Sequence, residues 1–206
     1  MSVAAAGWLQ VVLLVFALAV TYRPLGDYIA HLLTSDRHWR IERVLYKVMG
    51  VDPESDQAWS VYVRSVLAIS VVGVLLLYLI LRIQNFLMLA LGMPQMQANL
   101  AYNTASSFVT NTNWQNYVGE STLGYTAQFA GLAVQNFVSA AVGICVVATL
   151  IRGFVHITSD RLGNFWVDLT RLNLRLLLPI SIAFCIVLIA AGVPQEQIDH
   201  FMLQFR

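Results

Sequence analysis

Charge is what this sequence has least of. Only 11% of its 206 residues are charged, against about 25% in soluble domains, and between Arg82 and Arg152 the one formally charged residue is Glu120. A chain this poor in charge and 58% hydrophobic reads as an all-α integral membrane protein. Its net charge of +1 argues against nucleic acid or an acidic partner, because the basic residues follow topology rather than massing on one surface. Cysteine is nearly absent. Cys145 and Cys185 fall inside apolar runs, where they read as buried small hydrophobes, with no disulfide and no transition-metal site. His31, His38, His156 and His200 share no ligand spacing, so no site is assigned to them.

Four segments are long and apolar enough to span a bilayer, which demands about 20 residues. The first is the uncharged run over residues 1–22. It has no basic segment ahead of it, as a signal peptide would, so it reads as a retained span. The second covers residues 61–81, between Arg64 and Arg82, whose long side chains can reach the interfaces. The third covers 127–151 and the fourth 176–193, with Pro179 near its start, where a missing N–H costs little. Arg23, Arg37, Arg40, Arg43, Lys47 and Arg64 lie at or between the first two spans, and Arg152, Arg161, Arg171 and Arg175 between the last two. These ten of the twelve basic residues make residues 23–60 and 152–175 cytoplasmic by the positive-inside rule, and the N-terminus external. Within the first of these loops, Ile41, Val44, Leu45 and Val48 share one helical face opposite Arg40, Arg43 and Lys47, predicting a short interfacial helix ended by Gly50 and Pro53.

The stretch YNTASSFVTNTNWQNYVGE, residues 102–120, is polar yet almost uncharged. Thr, Asn and Gln in place of Lys, Asp and Glu suggest a loop that enters the bilayer without crossing it, which polar backbone tolerates only when buried in protein or lining a watery cavity. The order of span, polar stretch and span predicts a re-entrant loop over about residues 99–118. A pore helix over 99–108 would aim its carbonyl end at a cation, and residues 109–113 would return as an extended segment whose carbonyls replace a hydration shell. A dehydrated monovalent cation suits such a site better than magnesium or calcium; the residue types favour potassium without excluding sodium. A plain surface loop with local side-chain hydrogen bonds is the simpler alternative. Trp114 and Tyr117 suit interfacial anchors with some packing duty. Gly131, Ser139, Ala140, Ala141 and Gly143 suit close helix approach.

The motifs SSFVTNTNWQNYVGES (residues 106–121) and AGLAVQNFVSAAVG (130–143) closely resemble the first repeat of the potassium-binding, channel-like subunit family of the bacterial Kdp potassium-importing P-type ATPase. RPLG (23–26), ERVLYKVMGVD (42–52) and GNFWVDLTR (163–171) match the same family in the same order, up to about Val193. That resemblance implies an M1-P-M2 pore repeat over residues 61–151, preceded by an extra span and followed, over 176–206, by the first span of a second repeat and an atypical tail. It implies that Thr110, Asn111, Thr112 and Asn113 form one quadrant of a potassium filter, and that Gln115 lies beside it and influences affinity. The filter glycine of simple potassium channels is missing from residues 109–113.

The resemblance further implies the bacterial inner membrane as location. Its implied partners are a separate catalytic P-type ATPase subunit and small accessory subunits, with the lipid bilayer around them. Potassium is then the transported ligand. No phosphate-binding loop or phosphorylatable Asp motif is visible, so this chain is read as a non-catalytic subunit. The tail over residues 196–206 departs from the family pattern, and a truncated or frameshifted product is expected. A non-conducting assembly or scaffold subunit is the alternative reading. A secondary transporter would show inverted repeats, whereas the repetition starting at Leu176 is direct.

Overall fold

The computed structural model describes residues 2–155 and 161–192. His156, His200, the last position of the predicted fourth span and the predicted atypical tail lie outside the described residues. Among the described residues the elements are helical, and four helices are long and apolar enough to cross a membrane: Ala4–Thr34, Trp59–Phe86, Ala127–Val155 and Phe165–Ala190. The chain divides into two compact units, one up to Val51 and one from Asp52 onward.

In the first unit, α1 (Val3–Thr34) starts at Ser2, whose hydroxyl accepts from the Ala5 N–H at 3.3 Å. It runs well past the predicted end at residue 22, through Pro24. Its 32 residues measure about 48 Å, more than the roughly 30 Å of hydrocarbon, so the turns carrying Arg23 and Asp27 continue beyond the apolar run. From Leu9 to Val20 every side chain is exposed, as lipid-facing side chains would be. The predicted interfacial helix is α2 (Arg40–Met49), ended by Gly50 at φ 66°. Glu42 and Tyr46 form its buried face, and Glu42 accepts from the Trp39 N–H at 2.8 Å, while Ile41, Val44, Leu45 and Val48 stay exposed.

The second unit is built on α3 (Trp59–Ile83), α4 (Ala98–Val109), the short α5 (Gly119–Thr122), and a long helix whose first part, Ala127–Ala133, is π-helical before continuing as α6 (Val134–Val155). The buried residues of α4, Ala101, Thr104, Ala105, Phe108 and Val109, recur at helical spacing. They pack with Leu77 and Leu81 of α3, Met96, Leu123, Ala127 and Leu132 into one core. In lipid, such packing rather than exclusion from water holds helices together. Of the small residues, Gly131 permits a close approach: a Cβ there would meet Leu77 Cδ1 at 2.9 Å. Ser139 and Ala141 are buried, but Gly143 faces open space.

The last span begins earlier than predicted. A continuous helix comprises α7 (Phe165–Arg171), a π-helical stretch Leu172–Leu177 and α8 (Leu178–Ala190). Asn164 caps it, its Oδ1 accepting from the N–H groups of Trp166 at 3.1 Å and Val167 at 3.4 Å. The wide turn precedes Pro179, whose ring cannot bond the carbonyl four residues back. Arg171 and Arg175 are therefore buried rather than displayed on a loop. Cys145 is buried as expected, whereas Cys185 is exposed on α8.

Residues 52–58 belong with the second unit, to which the GNFWVDLTR motif ties them. The Gln57 N–H donates to Gly163 O at 2.8 Å and the Leu162 N–H to Gln57 O at 3.0 Å. Asn164 Nδ2 donates to Asp52 O, Ser55 O and Ser55 Oγ. Beneath this latch Arg152 meets Asp168 in a two-pronged ion pair at 2.5 and 3.1 Å, and the buried Tyr62 hydroxyl donates to the same carboxylate at 3.1 Å. The pair joins α3, α6 and α7 at one end of the bundle.

Candidate functional site

The predicted pore helix is α4, Ala98–Val109, one residue longer at each end than its expected bounds. Its N-terminal approach is fixed by two side chains from the end of α3. Arg82 Nη1 donates to Met96 O at 2.5 Å, so this arginine binds the loop instead of reaching for the interface. Gln84, 1% exposed, donates from Nε2 to Pro94 O at 2.6 Å and Thr122 O at 3.0 Å, and accepts at Oε1 from the Gly124 N–H at 3.4 Å. One carboxamide thus clasps the chain on both sides of the loop. On the far side the Thr126 hydroxyl donates to Met88 O and the Tyr125 N–H to Leu89 O.

Beyond α4 the backbone does not return as the predicted extended segment. Thr110 caps the helix at φ −83°, Asn111 is left-handed at φ 58°, Thr112 is not, and Asn113 is left-handed again at φ 55°. Asparagine is among the few residues besides glycine that occupy this region readily, so two asparagines stand where a glycine was missed. Alternation of hand gathers successive N–H groups on one side and leaves the carbonyls on the other.

The hydrogen bonds follow that division. The N–H groups of Thr110, Asn111, Thr112 and Asn113 donate to Ser106 O, Phe108 O, Ser107 O and Ser107 O at 2.9–3.2 Å, and the Trp114 N–H donates to Ser107 Oγ at 2.5 Å. The backbone N–H groups of residues 110–113 are thus all turned back onto the carbonyl end of α4. Among the described residues no hydrogen bond reaches the carbonyl oxygens of 110–113. These acceptors are exposed, and a row of unpaired carbonyls beside a helix C-terminus has the chemistry of a cation site. The Thr110 and Thr112 hydroxyls lie 3.1 Å apart.

Gln115 is exposed and donates from Nε2 to the Tyr117 hydroxyl at 3.0 Å. Burial pushes the Tyr117 phenol above its ordinary value, against the opposing effect of that hydrogen bond, so the phenol stays neutral. Tyr117 packs on the core, whereas Trp114 is 66% exposed. Glu120, on α5, is exposed. Among the described residues no group of His, Cys, Asp and Glu could hold a metal ion. The sequence reading found the loop and missed Gln84, Ser107 and Arg82. Their one visible signal was polarity at the border of an apolar run, which topology alone also explains.

A family model described as "Potassium-transporting ATPase A subunit" matches residues 12–204, farther than the motif resemblance reached. Relatives named "Potassium-transporting ATPase potassium-binding subunit" include that of Clavibacter sepedonicus, 55% identical over 191 residues, covering 93% of this chain and 34% of the relative. That of Streptomyces avermitilis is 52% identical over 196 residues, covering 95% and 35%, and that of Frankia alni is 49% identical over 230 residues, covering 95% and 39%. The chain spans about a third of the length of the curated relatives it matches.

Proposed function

The chain belongs to the potassium-transporting ATPase A subunit family, and we propose that it contributes one wall of a potassium pathway, with residues 110–113 as the ion-facing segment. The observation that carries this reading is the division of the loop's hydrogen bonds: donors to α4, carbonyls left free. Carbonyls can replace the hydration shell of a monovalent cation without any carboxylate. The segment offers that chemistry from one side only, so the remaining sides of the ion belong to other segments around the same path.

ATP hydrolysis on this reading falls to a separate catalytic subunit, a division supported by relatives named as the potassium-binding subunit of a potassium-transporting ATPase, and small accessory subunits complete the proposed complex. The basic residues favour an external N-terminus and loop and cytoplasmic segments around Arg37 and Arg161, and the family resemblance favours the bacterial inner membrane. Gln115 belongs to the same proposed potassium site, beside residues 110–113, and acts on affinity.

The test is Gln115→Arg in the assembled complex. Two unit charges about 6 Å apart repel by roughly 3 kcal/mol at an effective dielectric near 20. Discounted for solvent, apparent potassium affinity should fall at least about tenfold in potassium-stimulated ATPase assays. Unchanged affinity would remove Gln115 from the pathway.

A further inference from the structure

Two polar side chains on α6 are buried in the packing around the loop. Ser139 and Gln135 are one helical turn apart, share a face, and are buried at 3% and 8% exposure. Ser139 Oγ donates to Oδ1 of Asn111 at 3.3 Å, with Asn136 O of its own helix at 3.5 Å. Asn111 is the first left-handed residue after α4. The Gln135 carboxamide fills the space that Gly73 of α3 leaves: a Cβ on Gly73 would lie 3.2 Å from Gln135 Nε2 and 3.2 Å from Cγ2 of Val109, the last residue of α4. Ser139 thus touches the residue where the alternating backbone begins, and Gln135 and Val109 both border the space at Gly73.

We propose that Ser139 is a positioning residue that sets the ion preference of the loop by fixing the hand of Asn111. The inference rests on the potassium reading above. A left-handed asparagine has a right-handed alternative close in energy. Changing hand there would turn the adjoining carbonyls out of line and leave part of the ion's dehydration uncompensated. The serine hydroxyl holds the side chain, and through it the backbone, without touching the ion.

The experiment is Ser139→Ala in the assembled ATPase complex, with potassium-stimulated hydrolysis read against potassium and against sodium. The half-saturating potassium concentration should rise about three- to tenfold, the range of one lost hydrogen bond, and discrimination against sodium should fall with it. The maximal rate should change much less, and Ser139→Thr, which keeps the hydroxyl, should restore the parent affinity. Asn111→Gly removes the acceptor while keeping the left-handed backbone, so it should reproduce the same shift, and Ser139→Ala added to it should contribute nothing more. Should Ser139→Ala fail to assemble, Asn111→Gly alone reads the same contact. An unchanged half-saturation in either variant, or fully additive shifts in the double variant, would overturn the inference. Gln115→Arg is measured alongside. If it lowers affinity while Ser139→Ala does not, only the positioning role falls; if neither moves affinity, the ion-site reading falls as well.

Discussion

Asn111 and Asn113 show how a single residue type resolves a conflict between backbone and chemistry. A loop that must expose its carbonyls needs residues of positive φ, and for most side chains that costs about 1–2 kcal/mol each. Asparagine carries the smallest such penalty after glycine and also brings an amide that neighbours can hold. Asn111→Val should therefore do far more harm than Asn111→Gly. The valine variant should lose potassium-stimulated ATPase activity or assembly, and the glycine variant should assemble and show only the modest affinity shift of the lost side-chain contact. Equal behaviour of the two, measured by yield of assembled complex and potassium titration, would mean that the hand of residue 111 is immaterial. The polarity of residues 110–113 was legible in the sequence. Their alternating hand was not, because no local rule separates an asparagine that merely caps a turn from one in a row of unpaired carbonyls.

Among the elements, those of the second unit are held at two places by different devices. At the loop end, Gln84 and Arg82 hold the approach to α4 by neutral and charge-assisted hydrogen bonds to backbone. At the other end, the Arg152–Asp168 pair, with Tyr62, fastens α3, α6 and α7. The carboxylate side chain is only 3% exposed, so removing its partner leaves a buried charge. Arg152→Ala should destabilise the folded unit by about 3 kcal/mol or more, and Tyr62→Phe by about 1 kcal/mol. Thermal unfolding in detergent would check both, and an Arg152→Ala protein as stable as the parent would show that the pair is solvated. The four spans were legible as apolar runs, and α4 was legible because a polar, uncharged stretch lies between two of them. The ends were not: α1 runs through Pro24 to Thr34, and the last span starts at Phe165. Charged residues inside a helix look like loop until their partners are known, and the partner of Asp168 is sixteen residues away on another helix.

For the whole molecule, the distribution of basic residues makes a claim that side-chain geometry does not. Cysteines introduced at the exposed Ser55 and Ser121 should differ in their reaction with an impermeant thiol reagent added to intact cells, Ser121→Cys being modified and Ser55→Cys protected. The reverse pattern would invert the orientation and place the loop on the wrong face for an importer. The central claim is narrower than orientation: the carbonyls of residues 110–113 face a permeating monovalent cation. Its most direct measurement is anomalous diffraction from the assembled complex with thallium, a scattering substitute for potassium. The account predicts an anomalous peak in coordinating contact with carbonyl oxygens of Thr110, Asn111, Thr112 and Asn113. An ion peak elsewhere along the path, with those four carbonyls turned away from it or hydrogen-bonded to protein, would contradict it.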